Sequence, residues 1–185
     1  MPYVVAAILI VTALGLVAIY NRMVSLKVRA GNAWSDIDVQ LKRRWDLVPA
    51  LAAAVKGYAG HERELFEEVA RERSAAMKAG APAAKGAAEG TFAQGIGRLL
   101  AVVEQYPELK ASANFLELQK QLVQVEETLQ NARRYYNAVV RDYNTLIQQF
   151  PQILVARAGG FAGLEYFQLD SQEERQAVKV KVSEP

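Results

Sequence analysis

Between Phe115 and Phe150, apolar or small residues recur at Phe115, Leu118, Leu122, Val125, Leu129, Ala132, Tyr136, Val139, Tyr143, Leu146 and Phe150. The steps alternate three and four throughout, which holds one seam on one face of a long helix. Neither Gly nor Pro interrupts the run. At about 1.5 Å per residue the helix is roughly 55 Å long. Such a rod cannot bury its own stripe, so other helices must lie against it.

A second seam runs through Trp34, Ile37, Leu41, Arg44, Val48, Leu51, Val55 and Tyr58. It is narrow at first and widens beyond position 44, where Leu47, Ala52 and Ala54 join it. A wider apolar face calls for more neighbours on that half of the helix. Pro49 removes a backbone donor and predicts a bend. Gly57 and Gly60 mark a turn, and a helix from about His61 to Ala79 buries Leu65, Phe66, Val69 and Ala76. The stretch GAPAAKGAAEG, Gly80 to Gly90, reads as a loop. A third helix carries Phe92, Ile96, Leu99, Val103 and Tyr106 and yields to Pro107. The predicted fold is all-α: an antiparallel up-down four-helix bundle with two long helices, first and last, and two short ones between them. The short pair lies against the distal half of the long pair.

Ahead of this domain, Tyr3 to Tyr20 reads YVVAAILIVTALGLVAIY without a charge. As a helix it covers about 27 Å, enough for a bilayer core with flanking adjustment. Tyr3 and Tyr20 suit the two membrane interfaces. A signal peptide fits less well, because no Lys or Arg precedes the run and no convincing small-x-small cleavage site precedes a polar mature start. Arg22, Lys27, Arg29, Lys42, Arg43 and Arg44 all follow the span, so the positive-inside rule places the domain in the cytoplasm and the N-terminus outside. The organisation read from the chain is an anchor at 1–21, a cytoplasmic helical bundle at 22–150, a membrane-proximal apolar segment at 151–169 and a charged tail at 170–185. In the third of these, Phe161, Tyr166 and Phe167 either pack across the base of the long helices or sit at headgroup depth.

Composition narrows the function. The net charge of +2 argues against nucleic-acid binding, and the absence of Cys removes disulfide and thiolate chemistry. One His, His61, cannot build a di-metal carboxylate bundle or an H-E-x-x-H zinc helix. No G-x-S-x-G, Walker loop or G-x-G-x-x-G is present, and GIG at 95–97 reads as a close-packing point inside a helix. No catalytic residue, metal ligand or cofactor is therefore expected.

Two features ask for partners. Arg44 occupies a seam position, where a buried guanidinium must be paired or costs several kcal/mol. Glu126 or Glu127 on the last helix is its expected partner, fixing the register of the long pair; the alternative is that Arg44 snorkels to solvent. Arg134-Tyr135-Tyr136-Asn137 and Arg141-Asp142-Tyr143-Asn144 are seven apart, so Asn137 and Asn144 form a polar ladder beside seam tyrosines Tyr136 and Tyr143. The ladder serves either register or docking of another helix or protein.

The phrases AWSDIDVQLKRRWDLVP (33–49), VKGYAGHE (55–62), EQYPELKA (104–111), ARRYYNAVVRDYN (132–144) and QQFP (148–151) resemble the LemA family of bacterial proteins. The resemblance covers the chain from the anchor to about Phe167, although Ala50 stands where the family pattern usually has Asn after the Pro. It implies a single N-terminal transmembrane helix and a cytoplasmic helical bundle at the bacterial inner membrane, with no accepted biochemical activity. Some relatives are connected with building specialised membranes, and others resemble partners of membrane proteases. Taken together, the residues and the resemblance suggest a non-enzymatic scaffold or interaction protein. Its expected partners are the lipid bilayer and either itself or other membrane proteins. The alternative is an accessory subunit of an integral membrane enzyme such as a protease.

Overall fold

A computed structural model describes residues 1–168. Residue 169 and the charged tail expected at 170–185 lie outside the described residues. Six helices and no strand are found among those described: α1 (Pro2–Lys56), α2 (Arg63–Lys78), α3 (Pro82–Val103), α4 (Pro107–Lys110), α5 (Ala113–Leu146) and α6 (Gln152–Ala158). The count exceeds the four expected because helix re-forms briefly at Pro107, for one turn in α4, and after Pro151, for about two turns in α6. Pro is well suited to the first positions of a helix, where no intrahelical donor is needed.

α1 runs unbroken through Gly31 and Pro49 for 55 residues, about 80 Å. It packs antiparallel to α5 in three successive clusters. At the base, Met23 meets Tyr143, Leu146, Ile147 and Ala156. In the middle, Ala30, Ala33, Ile37 and Leu41 meet Leu129, Tyr136 and Val140. At the distal end, Val48, Leu51 and Val55 face Phe115 and Leu122, and here Val69 of α2 and Phe92 and Leu99 of α3 close the core. The widening of the α1 seam beyond position 44 thus corresponds to the arrival of the α2–α3 hairpin.

Three expectations about elements need correction. The Gly80–Gly90 stretch is not a loop: α3 begins at Pro82 and is 22 residues long, more than half the 34 of α5. Its alanines have the highest helix propensity, enough to carry Gly86 and Gly90. α5 stops at Leu146, and the last seam residue, Phe150, is 80% exposed. The residue before a proline disfavours helical backbone, so the chain leaves the helix ahead of Pro151. Finally, Tyr58 is exposed beyond the end of α1.

A polar node and an amide clasp as the candidate interaction site

α1, α3 and α5 meet at Arg44. Its side chain is fully buried, as is that of Glu89 on α3. One guanidinium nitrogen donates to Glu126 Oε1 of α5 at 2.8 Å. The other donates to the Glu89 carboxylate and, at 3.3 Å, to the Glu89 carbonyl oxygen. The second Glu89 oxygen accepts from Trp45 Nε1 at 2.8 Å, and the Phe92 ring lies 5.3 Å from the guanidinium. Both terminal nitrogens are thus paired, as a charge taken from water at this depth requires, while the buried Nε has no hydrogen-bond partner among the described residues. Glu127, the other expected partner, is exposed and takes no part. Glu89 is not legible as a partner in the sequence, because its segment has no large apolar residues to mark a helix.

Pro49 contributes to the same node through what it lacks. With no N–H, it leaves the carbonyl of Trp45, four residues earlier, without its intrahelical donor. Arg73 Nε of α2 supplies one, at 2.7 Å. A helix interruption on α1 is thereby turned into an anchoring point for α2, and the expected bend does not break the helix. Lys85, in the first turns of α3, adds an ion pair to Asp38 at 3.1 Å and lies over the rings of Trp34 and Trp45.

The second site lies nearer the anchor. After α6 the chain reverses at Gly159–Gly160, where Gly160 takes φ +67°, and residues 161–168 run extended along α1 and α5. The amide ladder holds them. Asn144 donates to the Leu164 carbonyl at 2.9 Å and accepts from the Leu164 N–H at 2.8 Å. Asn137 does the same for Phe167, at 3.0 and 2.9 Å. Tyr143 and Tyr136 donate their hydroxyls to the Ala162 and Glu165 carbonyls at 3.0 and 2.8 Å. The spacing has a simple origin. Seven helical residues rise about 10.5 Å, and three extended residues advance about 10 Å. A heptad on the helix therefore matches every third residue of the extended segment, and each Asn pairs with one residue's N–H and C=O. Burial raises the pKa of the Tyr136 phenol, with a further push from the Glu165 carboxylate, and burial alone raises that of Tyr143.

The clasp decides where the aromatic residues of this segment lie. Phe167 is 3% exposed, packed on Trp34 and under Arg133. It therefore packs on the domain, against Trp34, which lies about 20 Å along α1 from Tyr20. Tyr166 is half-buried against the same cluster. Phe161 alone remains low, its ring 5.4 Å from that of Tyr20, while Tyr3 is exposed at the far end of the span. Arg134 is exposed and donates to Asn131. It lines, with Glu127, a groove of about 810 Å³ between α3 and α5 whose floor includes Ile96, Leu100 and Leu122.

A sequence model of the LemA family matches residues 33–182, which takes in both the node and the clasp. The chain belongs to the LemA family. Similarity also extends to two magnetosome proteins. One is MamQ 2 of Paramagnetospirillum magneticum, 26% identical over 89% of this chain and 72% of its own length. Another is MamQ of Magnetospirillum gryphiswaldense, 26% identical over 80% of this chain and 64% of its own length. Within this LemA chain, α1 is long and apolar enough at its N-terminal end to cross a membrane, and none of that apolar stretch is buried. A buried core helix is the wrong description for it. Among the described residues no group of three His, Asp or Glu gathers where a metal could be held. His61 lies in the α1–α2 turn, 3.3 Å from the Tyr106 hydroxyl.

Proposed function

We propose that this LemA protein is a membrane-anchored, non-enzymatic scaffold. Its N-terminus is outside, and its helical domain stands on the cytoplasmic face of the bacterial inner membrane. The observation that carries this reading is the unbroken α1: one helix is both the uncharged, uncovered span and a central strut of the domain. Exposed Phe150 and Leu154 beside the foot of that strut support seating of the base on lipid. The ionisable groups of the node are spent on one another, which leaves them structural rather than catalytic. The named relatives are magnetosome proteins, and a scaffold of membrane organisation is a role consistent with that description.

Membrane-proximal faces of α1 and α5, beyond the reach of the α2–α3 hairpin, are one surface open to self-association. The clasp covers one of these, so the α3–α5 groove is the larger surface left to a second copy. Light scattering of the full-length protein in detergent, corrected for detergent mass, tests the scaffold directly. A defined oligomer of constant mass across a concentration range is expected. A monomer throughout contradicts self-assembly and turns the reading to an accessory subunit of another membrane protein.

A further inference from the structure

Just beyond the uncharged span, a cleft of about 530 Å³ opens between α1 and α5. Arg22 and Arg29 line one wall, and Arg141 with Thr145 lines the other; Leu26 forms part of the floor. Seven residues separate Arg22 from Arg29, so both project from one face of α1 about 10 Å apart in height. Opposite them the wall carries one acid, Asp142, 3.6 Å from Arg141 Nε. Three guanidiniums against one carboxylate leave a surplus of positive charge. None of the three is drawn into the node or the clasp.

We infer that this cleft binds the headgroup of an anionic phospholipid. The inference rests on the reading of residues 3–20 as a membrane span, which sets Arg22 about half a turn above the Tyr20–Phe161 pair and hence at phosphate level. A guanidinium presents paired donors that match a phosphodiester in geometry and sign. Thr145 adds a neutral donor, and the leucine floor suits the glycerol and upper acyl carbons. The basic cleft opening beside a bilayer-spanning helix on its cytoplasmic side has the form that recognises anionic headgroups. The same phosphate chemistry is offered by free phosphate, but the depth of the cleft at the bilayer surface favours the lipid.

The test uses full-length protein in mixed micelles of equal phosphatidylglycerol and phosphatidylcholine, with lipid retained after gel filtration quantified. Phosphatidylglycerol is expected to be retained over phosphatidylcholine. Each basic group near an anionic surface strengthens binding about fivefold, so Arg29→Gln with Arg141→Gln should cut that preference by at least about tenfold. Lys42→Gln with Arg43→Gln removes the same charge from exposed positions farther up α1 and should leave it intact. Equal retention of the two lipids, or an equal loss in both double variants, overturns the inference. Displacement of the lipid by millimolar inorganic phosphate would assign the cleft to free phosphate instead. Alkaline carbonate extraction of membranes separates the two levels. Release of the wild-type chain defeats the membrane reading itself, whereas a retained chain without lipid preference defeats only the cleft.

Discussion

At the scale of single residues, the decisive group is Arg44. Replacing it with Met leaves Glu89 buried without its cation, at a cost of about 3–5 kcal/mol. Glu126→Gln removes a carboxylate that is 39% exposed and should cost under about 1 kcal/mol. Both tryptophans lie in the domain, and Trp45 is bonded to Glu89, so urea unfolding followed by their fluorescence reads the difference. Equal costs would contradict the assignment of Glu89 as the principal partner. The clasp tyrosines give a pH signature. Their folded values lie above the ordinary phenol value of about 10, so the neutral donor is the favoured form. Their contribution to stability is whole below pH about 10 and is lost as pH rises through the raised values. Phenolate absorbance should show a late-ionising component that disappears when Tyr136→Phe and Tyr143→Phe are combined; an unchanged titration in that variant would contradict the clasp.

At the scale of elements, close approach sets what a helix can carry. A Cβ at Gly86 would overlap the carbonyl of Gln168, where the extended segment crosses α3, while Gly97 faces open space. Gly86→Ala should therefore lift the end of the clasp, at about 1–3 kcal/mol, and speed hydrogen exchange at the Phe167 amide. Gly97→Ala should do neither, and similar behaviour of the two variants would argue against the crossing. Much of this level was legible in the chain. The heptad seams placed the α1–α5 pair, and the widening past Arg44 located the α2–α3 hairpin. Gly95 was read as a packing point, and in the structure it leaves room for Glu72. What escaped reading has a common physical cause. Gly80–Gly90 lacks large apolar residues, so its helix leaves no hydrophobic period, and Glu89 was lost with it. Residues 161–168 have no periodicity of their own, because side-chain amides seven residues apart on another element hold their backbone. The repeat at Asn137 and Asn144 was visible; what it gripped was not.

At the scale of the whole molecule, a candidate span, a strut and a domain are joined in a single α1. The node fixes the distal half of that strut to three other helices, and the clasp fixes the proximal half to the returning chain. The chain contains no Cys, so single introduced thiols report position without background. The most direct measurement labels Pro2→Cys and Lys120→Cys proteins in intact spheroplasts with a membrane-impermeant maleimide, before and after lysis. The account predicts that position 2 reacts in intact cells and position 120 only after lysis. Labelling of position 120 from outside, or of neither position until lysis, would contradict an anchored domain on the cytoplasmic face.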